Sequence, residues 1–176
     1  DQRRGVVLVS PNLKCLEGHN LGWWVSRDLN VPGMRVVVEN DANVAAYGEQ
    51  WVGSGRDKRS LVLFTLGTGI GGGIVLDGRI WHGAHGFAGE LGHMSIVADG
   101  APCACGNRGC IEAYASAPAT VRRFREAVLS GKASVLAEKV VAGAPINGED
   151  VFMAAVQGDE TAIAAIRETG RYLGVA

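Results

Sequence analysis

An α/β fold is what this sequence predicts, on three observations. Short β-branched apolar runs at Gly5 to Ser10 (GVVLVS), Met34 to Val38 and Leu61 to Leu66 (LVLFTL) read as strands. Alanine-rich stretches with helical periodicity alternate with them, and Ile111 to Ala176 is helical in pattern throughout. Glycines gather in Gly67 to Gly73 and Gly83 to Gly109, where loops approach ligands rather than merely bend, so function is expected there.

Taken in order, Pro11-Asn12 ends the first strand and Trp23 to Leu29 predicts a helix or helical turn. The second strand delivers Glu39-Asn40-Asp41 at its carboxyl end, the place where open α/β sheets carry ligand-binding groups. Ala42 to Trp51 is then helical, so Asn40 and Asp41 stand at a strand-to-helix junction. Two readings of them remain open: an N-cap, which both residue types favour, or a functional amide and carboxylate.

The third strand runs into Gly67-Thr68-Gly69-Ile70-Gly71-Gly72-Gly73 and on to Ile74 to Leu76. With Asp77-Gly78 turning into Arg79 to Trp81, this predicts a hairpin or meander whose first turn is glycine-rich. Backbone without side chains, beside a threonine hydroxyl, cradles phosphate through its amide N–H groups. The turn lacks the lysine of a P-loop and lies between strands instead of opening a helix, so neither the P-loop nor the dinucleotide fingerprint applies. Pro118 to Leu129, Ser134 to Val141, Gly148 to Gln157 and Glu160 to Leu173 predict a scaffold of helices, separated by Gly131, Gly143 to Pro145 and Gly158-Asp159.

With 176 residues, 47% hydrophobic and 20% charged, the chain is long enough for one sizeable core or for parts of two domains. A formal net charge of −1 gives no electrostatic reason to expect nucleic acid or an anionic membrane as partner, and the Arg122, Arg123, Arg125 cluster reads as a solvated helix face. No apolar run approaches the roughly 18 residues of a membrane span. No basic and apolar leader opens the chain, and thiols gathered as metal ligands suit a reducing compartment, so a cytoplasmic location is expected. Asp1 is not an initiator methionine and the helical pattern still runs at Ala176; the chain is expected to be a piece of a longer protein.

The densest chemistry lies in Gly89 to Glu112. Cys103, Cys105 and Cys110 are spaced C-x-C-x4-C, with Gly106 and Gly109 free to take the positive φ that a loop needs to wrap an ion. His93 is the nearest further soft ligand, and a Cys3His set closes a tetrahedral zinc site with no position for water, which makes it structural. The alternatives are a disulfide or three free thiols. A Cys103–Cys105 bridge would be strained, and bridging either to Cys110 leaves an odd thiol. Cys15 could replace His93 as fourth ligand, or be a buried free thiol.

Three signals in one order carry a resemblance: Glu39-Asn40-Asp41-Ala42-Asn43, then Leu66-Gly67-Thr68-Gly69-Ile70-Gly71-Gly72-Gly73, then E-x-G-H-x9-C-x-C-G-x2-G-C-x-E from Glu90 to Glu112, matched at every fixed position. The chain resembles the ROK family of bacterial repressors, open reading frames and sugar kinases. That resemblance implies an actin-like, ribonuclease-H-type fold of two α/β domains closing on a sugar, with ATP in the cleft. Residues 1–41 would then end the N-terminal domain, and 42–176, with the zinc loop at 93–110, would form the greater part of the C-terminal one.

By the same resemblance Asp41 matches the catalytic aspartate, and Asn40, Glu90, His93 and Glu112 match sugar-contacting positions. Gly67, Thr68, Gly69 and Gly71 match the second phosphate loop, and His93, Cys103, Cys105 and Cys110 match the zinc ligands, His93 thus serving metal and sugar together. The implied activity is phosphorylation of a hexose by Mg-ATP, glucose at its 6-hydroxyl foremost; the implied alternative is a sugar-responsive repressor, for which alone a nucleic acid is a partner. A homodimer is the usual assembly of relatives. The first phosphate motif, D-x-G-x-T, and the C-terminal adenosine segment are absent from this sequence, so the 176-residue chain alone is expected to be catalytically silent.

Overall fold

The computed structural model describes residues 4–8, 10 and 13–176. Its sheet is a three-stranded antiparallel meander: β1 (Leu61–Leu66), β2 (Ile70–Leu76) and β3 (Arg79–Ile80), in that spatial order. Leu61 stands opposite Val75 and Leu66 opposite Ile70, so the first connection is the tight turn Gly67 to Gly69, where the Gly67 amide donates to the Gly69 carbonyl at 3.0 Å. The second turn, Asp77-Gly78, has φ of 49° and 76°, the two positive values of a type I′ hairpin.

One expectation about this sheet is corrected. The strand read as beginning at Ile74 begins at Ile70, and Gly71 to Gly73 pair with Thr65 to Leu63 inside the ladder. Glycine disfavours strands, yet here close packing on both faces demands it. A Cβ on Gly73 would stand 2.6 Å from the Ala46 Cβ, and one on Gly72 2.6 Å from the Leu91 Cγ on the other face.

The helix that lies on β2, α1 (Asp41–Trp51), buries Ala42, Asn43 and Ala46. Beyond the sheet come α2 (Glu112–Ala115), α3 (Ala117–Leu129), α4 (Ala137–Val141), α5 (Gly148–Val156) and α6 (Glu160–Leu173). Ser116 caps α3, Asn147 and Asp150 form a capping box on α5, and Asp159 caps α6. The helix expected from Ser134 starts at Ala137, because the Ser134 hydroxyl instead donates to Asp159 at 2.6 Å. Phe124, Val128, Val140, Val151, Ala154, Ala162 and Ala165 make the helical core. Ile70, Ile111 and Ala115, with Phe64 and Tyr172 against them, join that layer to the sheet.

Ahead of α1 a nine-residue helix, Leu21–Leu29, starts two residues before the sequence reading because Asn20 accepts the Trp23 amide at 2.8 Å. The strand expected at Gly5 to Ser10 appears only as an isolated bridge from Val6 to Asn20, with Val9 outside the described residues. The strand expected at Met34 to Val38 does not form: the segment belongs to no ladder among the described residues. A strand exists only beside a hydrogen-bonded neighbour, and among the described residues none runs next to this segment. No described residue before Ala42 is buried. Among the described residues no helix is long and apolar enough to cross a membrane.

Candidate functional site

The glycine run of β2 is a hub on which three arms of the chain converge. The start of α1 rests on Gly71, where a Cβ would come within 3.2 Å of the Ala42 Cβ. The turn Leu91–His93 packs on Gly72 through Leu91, and Gly92 lies so close to the Ile70 carbonyl that no side chain fits. Glu112, first residue of α2, accepts the Ile70 amide at 2.8 Å. Asp41, Glu90 with His93, and Glu112 are therefore presented from three elements fixed to four consecutive residues.

The two readings of Asn40 and Asp41 separate here. Asn40 is the N-cap of α1: its Oδ1 accepts the amides of Ala42 at 2.9 Å and Asn43 at 3.1 Å. Asp41 is the first helical residue, exposed, its Oδ1 touching only the next amide, Ala42, at 2.9 Å among the described hydrogen bonds. A carboxylate at a helix N-terminus is favoured by the dipole and needs no further partner. It is left available to a ligand.

The Glu39 side chain, to which the sequence assigns no role, stands behind this junction. Oε1 accepts the Asn40 amide and Asn43 Nδ2, each at 2.9 Å, and Oε2 meets His82 Nε2 at 2.8 Å. Burial pushes the Glu39 carboxyl up, and the hydrogen bonds from Asn43, His82 and Asn40 more than reverse that, holding it below the ordinary carboxylate range. Glu39 and Asn43 sit inside the Glu39-Asn40-Asp41-Ala42-Asn43 motif and were visible as part of it. His82 lies 43 positions from Glu39 with no motif around it, and no sequence signal marks it.

The glycine turn Gly67 to Gly69 abuts the same hub. Thr68 is exposed at its apex, and the Gly67 carbonyl accepts the Ala117 amide at 3.0 Å, which ties the turn to the start of α3. A Cβ on Gly69 would lie 2.5 Å from Glu112 Oε2, so the turn and Glu112 are in direct contact. From Thr68 a groove of about 570 Å³ runs between α3 and the start of α5, its walls apolar at Ala117, Pro118, Val121, Leu129 and Ile146, with Arg122 and Asn147 at hand.

His93, Cys103, Cys105 and Cys110 come together, their ligand atoms all within 4.8 Å of one another. The Cys105 and Cys110 sulfurs are 3.7 Å apart, and Cys103 Sγ is 3.7 Å from His93 Nδ1. A tetrahedron with Zn–S of about 2.3 Å and Zn–N of about 2.0 Å requires edges of about 3.8 and about 3.5 Å, so these two distances are compatible with one zinc ion among the four donors. All four cysteines are free, and Cys15 sits exposed in the turn Lys14–Leu16, outside the cluster, whose fourth member is His93. Cys105 is held below the usual thiol range, chiefly by the Asn107 amide, while burial, with Cys103 and Cys105 beside it, pushes Cys110 up to about 12. A cation would make thiolates of all three. The ring turns Nδ1 to the thiols and leaves Nε2 4.0 Å from Glu90 Oε2.

The pattern of the ROK family matches residues 1–176. A glucokinase of Halalkalibacterium halodurans is 42% identical over 165 residues, 89% of this chain and 49% of that protein. The crystal structure of a ROK family glucokinase from Streptomyces griseus in complex with glucose and AMPPNP superposes with a TM-score of 0.81 at 38% identity, over 99% of this chain and 55% of that one. The structure of a ROK family transcriptional regulator, homologue of the E. coli MLC protein, gives 0.84 at 37% identity over 98% and 42%. The chain spans about half the length of the curated glucokinases it matches. The fold is thus the actin-like ATPase fold that the motifs implied.

Proposed function

We propose that this chain, which belongs to the ROK family, is the central part of an ATP-dependent hexose kinase of the glucokinase type. The observation that carries the reading is the hub: an exposed aspartate at a helix start, two glutamates, a histidine and a glycine turn with a threonine at its apex, all braced on Ile70 to Gly73. Residues 1–41 would close the N-terminal domain and 42–176 form most of the C-terminal one. No described residue before Ala42 is buried as a whole, which supports that division.

In this reading the hexose lies against Asn40, Glu90, His93 and Glu112, whose amide, carboxylates and imidazole offer donors and acceptors to several hydroxyls at once. Asp41 takes the proton of the attacking hydroxyl, which is far too weak an acid to ionise at neutral pH. The turn Gly67 to Gly69, with Gly71 behind it, receives the phosphates of Mg-ATP through backbone amides and the Thr68 hydroxyl, and the groove leading from Thr68 offers apolar walls to the nucleoside. Zinc held by His93, Cys103, Cys105 and Cys110 would fix the loop and the imidazole's angle. His93 then presents Nε2 toward the sugar side, where Glu90 already stands.

A second reading is favoured by the likeness to the transcriptional regulator: the same domain as a sugar sensor of a repressor. The phosphate turn and the exposed Asp41 weigh against it, since a sensor needs neither. Incubating the full-length protein with glucose and Mg-ATP decides between them. Formation of glucose 6-phosphate and ADP in equal amounts is expected; hexose binding without turnover, with a helix-turn-helix pattern upstream of Asp1 in place of D-x-G-x-T, would establish the repressor.

A further inference from the structure

We propose that His82 is a positioning residue that locks together the two arms bearing Asp41 and Glu90, a role that rests on the kinase reading above. The histidine stands just after β3, where the Trp81 amide still donates to the Ile74 carbonyl at 2.7 Å, so its backbone is anchored to the sheet. Its Nε2 meets Glu39 Oε2 at 2.8 Å, and the Glu39 side chain is only 10% exposed. Through its other oxygen Glu39 holds the Asn40 amide and the Asn43 side chain, and Asn40 in turn caps the helix that begins with Asp41. On that side His82 therefore fixes the pitch of the Asp41 arm.

On the other side the His82 carbonyl accepts the Ala88 amide at 3.1 Å and closes the loop between them, and the Phe87 carbonyl accepts the Glu90 amide at 3.1 Å. Gly89, between those two bonds, lies flat on the hub: a Cβ there would stand 2.7 Å from the Gly72 carbonyl and 2.8 Å from Asn43 Oδ1. Among the described residues nothing donates to that buried Asn43 oxygen, so there contact alone holds Gly89 to α1. Among the described residues the directed polar tie between the two arms is thus the 2.8 Å bond of His82 to Glu39. Both arms supply ligand-facing groups whose relative placement governs rate, and a shift of about 1 Å can cost roughly a hundredfold. The bond needs an N–H at Nε2, which glutamine supplies at a similar reach and leucine does not.

The test uses the full-length protein with His82→Leu, His82→Gln and wild type, measured by steady-state kinetics and by amide hydrogen exchange. In His82→Leu, exchange is expected to rise together in residues 39–43 and 83–90, kcat to fall roughly ten- to hundredfold and the hexose KM to rise, with the ATP KM unmoved. His82→Gln is expected to retain more than about a third of wild-type kcat, since the donor is restored. Unchanged exchange in both segments of the leucine variant overturns the tie whatever the activity. Raised exchange with unaltered kcat and hexose KM, or equal loss in both variants, overturns the positioning role. If wild type phosphorylates no hexose, the kinase reading falls, and the tie is then judged on exchange alone.

Discussion

Glu112 accepts the Ile70 amide with one carboxylate oxygen, at 2.8 Å, and sets the other 4.0 Å from the sulfur of Cys103. One side chain therefore touches both the strand that follows the glycine turn and the thiol knot. Binding of phosphate, of sugar and of metal cannot be independent if all three lean on one carboxylate. Gly69, whose Cβ would collide with that carboxylate, is the place to test it.

Gly69→Ala is expected to damage hexose binding as well as nucleotide binding. The added methyl would stand 2.5 Å from Glu112 Oε2, and this oxygen is held by the Ile70 amide rather than free to swing away. Displacing it breaks a bond to a charged acceptor, worth roughly 1.5–3 kcal/mol, about ten- to hundredfold in affinity. Isothermal titration of the full-length variant with hexose alone checks this. Unaltered hexose affinity would place Glu112 outside the sugar site.

One zinc ion per chain is expected by elemental analysis, and Cys110→Ser is expected to lose it. Cys110 is fully buried and sits among the other donors, so a hydroxyl in its place leaves a three-donor site. Because the binding energy of a structural zinc is largely folding energy, the variant and the chelated wild type should show the same lowered melting temperature and the same loss of hexose affinity. A metal-free protein of unaltered stability would contradict the assignment.

What the sequence made legible was chemistry and local turns. Thiol spacing marks a Cys/His cluster, which the fold does bring together, and Asp77-Gly78 marks a hairpin because few residues take two positive φ angles. The run Gly71 to Gly73 reads as loop in the sequence because glycine's preference is local, whereas its place inside β2 follows from α1 and Leu91 pressing on opposite faces. Met34 to Val38 shows how an apolar run signals a wish for burial without naming the partner. The pairing of His82 with Glu39 spans too much chain for any motif, and only the folded backbone brings it into view.

Asp159 governs the acid limit of the helical layer. Its Oδ2 accepts the Ser134 hydroxyl and the Val135 amide, and its Oδ1 the Ala162 amide at 2.9 Å. Burial would raise this carboxyl, and those hydrogen bonds outweigh burial and hold it below the ordinary aspartate range. A carboxyl lowered in the folded state stabilises above its unfolded value, roughly 3.9, and that contribution is lost as the pH falls through the folded value beneath it. Asp159→Asn should therefore cost about 1–3 kcal/mol at pH 7, with the gap to wild type closing toward pH 3 in urea unfolding curves. A gap independent of pH would remove the carboxylate from this role.

The division of labour between Asn40 and Asp41 yields the sharpest pair of variants. Asn40 carries the cap, with two amides on its Oδ1, so Asn40→Ala should destabilise by about 0.5–2 kcal/mol and loosen the start of α1. Among the described hydrogen bonds Asp41 holds only the Ala42 amide, which an asparagine oxygen accepts equally well, so Asp41→Asn should leave the melting temperature nearly unmoved. The same change removes the only proton acceptor at this position. In the full-length protein kcat should fall roughly 10²–10⁴-fold while hexose affinity changes far less, the signature of an interaction needed in the transition state alone. An Asp41→Asn protein that keeps wild-type stability and more than about a tenth of wild-type kcat would strip Asp41 of the general-base role, because loss of a base leaves much less than that.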